Sequence, residues 1–170
     1  DALPICDTLS TVHLSNIQAT CASCHEGIYK DFKNSIHHDT NITAEHGLGD
    51  SLPSCNTCHS SHEIARTDAD GFKQNVMQQC GSCHEKLTQT YFSSYHGKSS
   101  KLGLIASAKC SDCHGSHNIL GKDNPASLIH EDNILQTCQK CHENATVGFT
   151  QFLPHADYRD GENYPLLHLI

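Results

Sequence analysis

Cys110-Ser111-Asp112-Cys113-His114-Gly115-Ser116-His117 decides how the chain is read. Two cysteines three positions apart, with a histidine directly after, form the attachment signal of c-type haem. The thiols add to the haem vinyl groups, and the histidine is placed to ligate the iron. The signal occurs five times: Cys21, Cys24 and His25; Cys55, Cys58 and His59; Cys80, Cys83 and His84; Cys110, Cys113 and His114; Cys138, Cys141 and His142. These copies use 10 of the 11 cysteines. A zinc ribbon needs paired Cys-x-x-Cys but no histidine after every second cysteine. A thioredoxin-like motif would appear once, near a βαβ pattern. A disulfide framework rarely keeps one spacing throughout. The expectation is five covalent haems.

With 170 residues, each haem has only 34 residues to cover it. Hydrophobic residues make up 36%, aromatics 6%, and there is no Trp, a thin core by itself. The porphyrins are therefore expected to supply much of the buried apolar surface, and the haem-free chain is not expected to fold. The formal charge of −8 becomes more negative by about ten with two ionised propionates per haem. Nucleic acid and anionic membrane surfaces are poor partners for such a chain; a redox protein with a basic docking face suits it.

No signal peptide or complete membrane span is legible. Haem attachment follows export, so the chain reads as a mature or trimmed form of a periplasmic or cell-surface protein. The apolar ending Tyr164-Pro165-Leu166-Leu167-His168-Leu169-Ile170 reads as a docking tail or as the start of a membrane helix.

An internal repeat organises the chain. Cys21 to Cys80 spans 59 positions and Cys80 to Cys138 spans 58. The motifs at Cys21, Cys80 and Cys138 are each followed by Glu, then by apolar residues at helical spacing: Ile28, Phe32, Ile36; Leu87, Tyr91, Tyr95; Ala145, Phe149, Leu153. Each such stripe should cover a porphyrin, and each helix should end at a histidine: His37, His96 or His155. The motifs at Cys55 and Cys110 instead carry a further histidine three residues on, His62 and His117. Gly47–Ser51 and Gly97–Gly103, which precede them, read as surface loops. The stretch Val12-His13-Leu14-Ser15-Asn16-Ile17 recurs as Ile129-His130-Glu131-Asp132-Asn133-Ile134. The fold class expected is mainly α with long loops and little or no β-sheet, as one haem-stacked domain over 1–170. Its repeats cover 12–70, 71–128 and a half unit at 129–158, followed by a tail at 159–170.

The second axial ligand decides the chemistry of each iron. Met77 is the one methionine, so Met ligation cannot serve five sites. Ten histidines remain beyond the five of the motifs. Five of them fall at repeated positions and match the number of haems: His37, His62, His96, His117 and His155. His62 and His117 sit too close to their own motif histidine and are expected to reach a neighbouring haem. His13 and His130 are reserve ligands. His38, His46 and His168 read as ordinary side chains, and Cys6 as a terminal thiol or an intermolecular disulfide partner.

Ser94-Tyr95-His96-Gly97 and Cys110–Ile119 resemble multihaem c-type cytochromes of respiratory bacteria. The alternation of the two motif kinds is similar to pentahaem electron donors of nitrite reductase and to decahaem carriers of metal-reducing conduits. The stretch from Phe152 to Pro165 resembles the end of cytochrome domains that continue into a quinol-linked membrane subunit. The resemblance implies bis-histidine haems arranged as a conducting chain, hence an electron carrier or the haem module of a membrane complex. A filament subunit is the alternative, since filament cytochromes reuse the same close haem stacking. A nitrite or hydroxylamine reductase is a third reading, against which stands the absence of any Cys-x-x-Cys-Lys motif.

Overall fold

The structure, a computed structural model, describes residues 6–38 and 52–169. Among the described residues it is helical, with no strand. Its helices are short: α1 (Ile17–Ala22), α2 (Glu26–Phe32), α3 (Cys55–His59), α4 (Phe72–Cys83), α5 (Glu85–Ser93), α6 (Tyr95–Lys101), α7 (Cys110–His114), α8 (Ile134–Gln139) and α9 (Pro165–His168). Two 3-10 turns, Leu14–Asn16 and Val147–Gln151, complete them. No helix among the described residues is long and apolar enough to cross a membrane.

The chain divides into two compact units. The first joins Asp1–Thr67 to His114–Asn133; the second joins Asp68–Cys113 to Ile134–Ile170. The division falls inside the fourth motif, between Cys113 and His114.

In the first unit α1 packs against α2 and α3. Residues 35–37 are tied to the later segment by backbone: Ile36 N–H donates to the Ile119 carbonyl at 2.8 Å, and the buried Ser35 hydroxyl donates to the same oxygen at 3.1 Å. The recurring histidine stretch forms the same turn twice. Asn16 Nδ2 donates to the carbonyls of Thr8 and Ser10, at 2.7 and 2.9 Å. Asn133 Nδ2 does so to Pro125 and Ser127, at 2.8 and 2.9 Å. Ser10 and Ser127 are both buried.

In the second unit α4, α5 and α6 follow one another with sharp breaks. His84 (φ −101°, ψ 48°) separates α4 from α5, as His25 (φ −111°, ψ 45°) separates α1 from α2. Glu26 and Glu85 then occupy the first turn of the following helix, where a carboxylate meets the positive end of the helix dipole. That explains the glutamate shared by those motifs.

Two expectations need correction. None of the three helices ends at its histidine: α2 stops at Phe32, short of His37, and only the 3-10 turn Val147–Gln151 precedes His155. The helix after Cys80 does not run on to His96. It stops at Ser93, and Ser94 caps a new helix by accepting the Gly97 N–H at 3.2 Å. His96 therefore lies in a first turn, not at a helix end. Gly97–Gly103 is accordingly not a surface loop: it is helical to Lys101, with Gly97 and Ser100 buried. The reason is steric. A Cβ on Gly97 would lie 2.1 Å from the Tyr91 carbonyl oxygen, so glycine here permits helix-on-helix contact and does not signal a loop. Gly47–Ser51 lies outside the described residues.

Candidate haem sites

The motif cysteines lie on or beside short helices. Two motifs form a helical turn by themselves, α3 and α7. Each turn is held by the second residue between its cysteines. Thr57 Oγ1 accepts the Ser54 N–H at 3.0 Å, and the Asp112 carboxylate accepts the Lys109 N–H at 2.8 Å.

Thiols of different motifs meet. In the first unit Cys55 hydrogen-bonds with Cys21; burial first, then that neighbour, pushes the Cys55 thiol up. In the second unit the Cys80 and Cys110 thiols share a hydrogen bond. It holds the accepting Cys80 down at about 7 and pushes Cys110 up. Cys113 is raised by burial and by Asp112, and it feels Cys138 and Cys141.

In the first and third motifs the second cysteine is more exposed than the first. Cys24 is exposed, where Cys21 is half-buried. The Cys24 N–H donates to the Cys21 carbonyl at 3.2 Å, a turn that sets the spacing of the two thiols. The Ser23 hydroxyl lies 3.9 Å from Cys24 Sγ, and Ser82 repeats that contact with the exposed Cys83. Cys58 is half-buried on α3, and its nearness adds to the upward push on Cys55. None of these cysteines is in a disulfide. The expected role of Cys24 and Cys58 as anchors therefore rests on their place in the motif, not on a contact with another motif's thiol.

Imidazoles also meet, in pairs of one motif histidine and one remote histidine. The rings of His59 and His117 lie 6.1 Å apart between centroids and 16° from parallel. Those of His96 and His142 lie 6.1 Å apart at 36°. Two imidazoles in line across one metal ion, each at a metal–nitrogen distance near 2.0 Å, put their centroids ~6.3 Å apart. The pairs hold that spacing. Burial, then the facing His117, lowers the basicity of His59. Burial, then His142, does the same for His96. Both are thus held in the neutral form that ligates metal.

His155 is prepared differently. Its Nδ1 lies 3.2 Å from the Leu87 carbonyl and 3.3 Å from Thr90 Oγ1. A carbonyl only accepts, so Nδ1 carries the proton and Nε2 presents its lone pair. Burial also lowers its basicity. His37 follows Ser35, whose hydroxyl accepts the His37 N–H at 3.1 Å. His13 and His130 each turn Nδ1 toward the residue two positions on. Ser15 Oγ lies 2.8 Å away in one case, and the Asp132 N–H lies 3.3 Å away in the other. His62 is exposed. His38 packs edge-on against Phe32, with centroids 5.6 Å apart, and His168 Nδ1 lies 3.0 Å from the Tyr158 carbonyl. His46 lies outside the described residues, and Cys6 is exposed.

The residues fit a large apolar cofactor. Among the described residues the buried hydrophobic side chains are Met77, Tyr91 and Ala145. Apart from Tyr91 and Ala145, the stripes expected to cover porphyrins have open members: Ile28 is 43% exposed, Leu87 47%, Tyr95 84% and Leu153 58%. A cavity of about 630 Å3 in the second unit is lined by Tyr95, Phe152, Leu153, Pro154, Tyr164 and Leu166, among others. Among the described residues the apolar interior is small, which suits a chain whose buried apolar surface is completed by a bound cofactor.

Sequence reasoning found the histidines but not what aims them. Ser35, Ser94 and Leu87 position His37, His96 and His155. The hint was the serine two residues before both His37 and His96.

The comparisons agree. A family model for a doubled CXXCH motif matches residues 103–147. The chain is 29% identical over 133 residues to the multiheme cytochrome MtrA of Shewanella baltica (strain OS185). That stretch is 78% of this chain but 34% of the relative, so the chain spans about a third of the relative's length. No solved structure matches. Together the matches and the helical, strand-free architecture support a multihaem c-type cytochrome.

Proposed function

We propose that this multihaem c-type cytochrome is an exported electron carrier in which five haems are each held between two imidazoles. The observation that carries the reading is the pair of motif and remote histidines at 6.1 Å, found once in each unit. A c-type haem, when bound, supplies a one-electron ferric–ferrous couple, and a second axial imidazole closes the iron to substrates.

The chain's part is to anchor, ligate and space. The anchors are Cys21 with Cys24, Cys55 with Cys58, Cys80 with Cys83, Cys110 with Cys113, and Cys138 with Cys141. His117 completes the site of His59, and His96 that of His142. His155, fixed over the first turn of α5, serves His84, which immediately precedes that helix. His25 and His114 remain, and the candidates left for them, His37, His62, His13 and His130, all fall in the first unit with them. The meeting of thiols supports neighbouring haem sites at Cys21 and Cys55, and likewise at Cys80 and Cys110. Such contacts suit electron passage between sites. The formal charge of −8 favours a redox partner with a basic docking face.

Pyridine haemochrome assay and electron paramagnetic resonance of the purified holoprotein test this reading. Five haems per chain, all low-spin, are expected. A high-spin ferric signal that moves with cyanide or nitrite would mean an open iron and refute the carrier reading.

A further inference from the structure

Among the described residues Lys109 is the one charged side chain that is buried, at 2% exposure. An isolated ammonium in such a place is strongly unfavourable. Here it is met by carbonyls: Nζ donates to Ile105 O at 3.1 Å, to Leu104 O at 3.5 Å, and to Ser107 O. Three acceptors answer the three N–H donors of an ammonium. The loop 104–107 is therefore a cradle for a cation.

The cradle leads to a candidate ligand. Ser107, whose carbonyl accepts from Lys109, donates its hydroxyl to the His96 carbonyl at 2.7 Å. The nearest counter-charge, Asp112, accepts the Lys109 N–H with one oxygen and pairs through the other with Lys73, at 2.5 Å. Lys109, Lys73 and Asp112 together leave one net positive charge. The internal repeat supplies a contrast. The corresponding position before Cys55 is Ser54, which makes the same backbone bond and carries no charge.

We propose that Lys109 is an electrostatic positioning residue for redox chemistry: its caged ammonium raises the reduction potential of the iron ligated by His96. Reduction takes a ferric iron to ferrous by one electron from a neighbouring haem, with no proton required. A fixed positive charge nearby favours the state holding the added electron, and a buried charge is poorly screened. This inference rests on the proposed His96–His142 pairing. Sequence position alone would not have suggested it, since a lysine before a motif is usually a solvated one.

The test is a spectroelectrochemical titration of the holoprotein with Lys109→Met and Lys109→Arg variants. In Lys109→Met one Nernst component should move negative, with at least a tenfold fall in its ferrous-to-ferric ratio at the wild-type midpoint, equivalent to about 59 mV. Lys109→Arg should stay near wild type. Unmoved components in Lys109→Met overturn the inference, and so does an equal shift in Lys109→Arg, which would report packing and not charge. If the methionine variant fails to take up haem, Lys109→Gln replaces it and keeps N–H donors for the cradle. Asp112→Asn provides an independent arm: loss of the counter-charge should move the same component positive, and any other result counts against the inference. The pairing is tested separately by His96→Ala, which should turn one haem high-spin. Failure of that control sinks the pairing, whereas its success with unshifted potentials sinks only the role of Lys109.

Discussion

Gly97→Ala is the most informative single change. An added Cβ would lie 2.1 Å from the Tyr91 carbonyl oxygen, 2.5 Å from Phe92 Cα and 2.7 Å from Tyr91 C. All three are backbone atoms and cannot rotate aside. Relief to ordinary van der Waals contact needs α6 to withdraw from α5 by ~1.3 Å or more. Alanine gains ~1 kcal/mol of helix propensity over glycine, but overpacking against rigid atoms costs up to ~3 kcal/mol or beyond. The net expectation is a loss of about 2 kcal/mol. The adjacent His96 moves with the helix, which disturbs its 6.1 Å spacing from the His142 ring. Holoprotein carrying Gly97→Ala should therefore show one haem's worth of high-spin ferric signal and a lowered denaturation midpoint. Gly27→Ala is the control: it lies in α2, and its Cβ meets nothing within 4 Å, so it should be neutral or slightly stabilising. A Gly97→Ala protein with wild-type stability and a wholly low-spin spectrum would refute the contact argument and the placement of His96 together.

Other expectations follow from the same geometry. Ser60 (φ 66°, ψ 169°) occupies backbone space that suits glycine, and its counterpart after the other such motif is Gly115 (φ 83°). Ser60→Gly should raise stability by ~1 kcal/mol and Gly115→Ala should lower it by at least as much, read by denaturant midpoints; an unchanged midpoint in both would refute the strain. His117→Ala should open the His59 iron, giving a high-spin signal that imidazole reverses; a spectrum unchanged from wild type would disprove that pair. Burial raises Tyr91 to about 12, and its hydroxyl donates to the Ala108 carbonyl at 2.7 Å. The folded state thus holds this proton more tightly than the unfolded chain, whose tyrosine titrates near 10. The stabilisation is whole below pH 10 and is lost as pH rises toward 12, on the order of 2 kcal/mol. Thermal unfolding across that window should flatten in Tyr91→Phe, and an equally steep loss in the variant would assign the effect elsewhere. Chemical cleavage of the thioethers with haem removal should abolish most of the helical circular dichroism; retained helicity would show a self-sufficient core.

How much was legible depends on whether the signal was local. Cys-x-x-Cys-His is written in five adjacent residues, so the motif could be read directly. The stripe Ile28–Phe32 and the run Leu87–Tyr91 announced α2 and α5 by periodicity. Gly97 misled, because a glycine demanded by another helix's backbone looks the same in sequence as one that breaks a helix. The pairs His59 with His117 and His96 with His142 join residues 58 and 46 positions apart. Nothing local records such a meeting. Lys109 escaped notice because its cradle consists of main-chain carbonyls, which every residue possesses. The union of residues 114–133 with the first unit rests on similar main-chain bonds, from Ser35 and Ile36 to Ile119.

The touching cysteines have a consequence for how such a chain can change over generations. Where Cys21 meets Cys55, and Cys80 meets Cys110, haems attached as proposed would have their spacing set by carbon–sulfur linkages and a short turn of backbone. Side chains farther out contribute little to that spacing. On that arrangement drift, insertion and loop exchange would remodel the exterior and leave the spacing unchanged, and diversity among relatives should gather between the anchors.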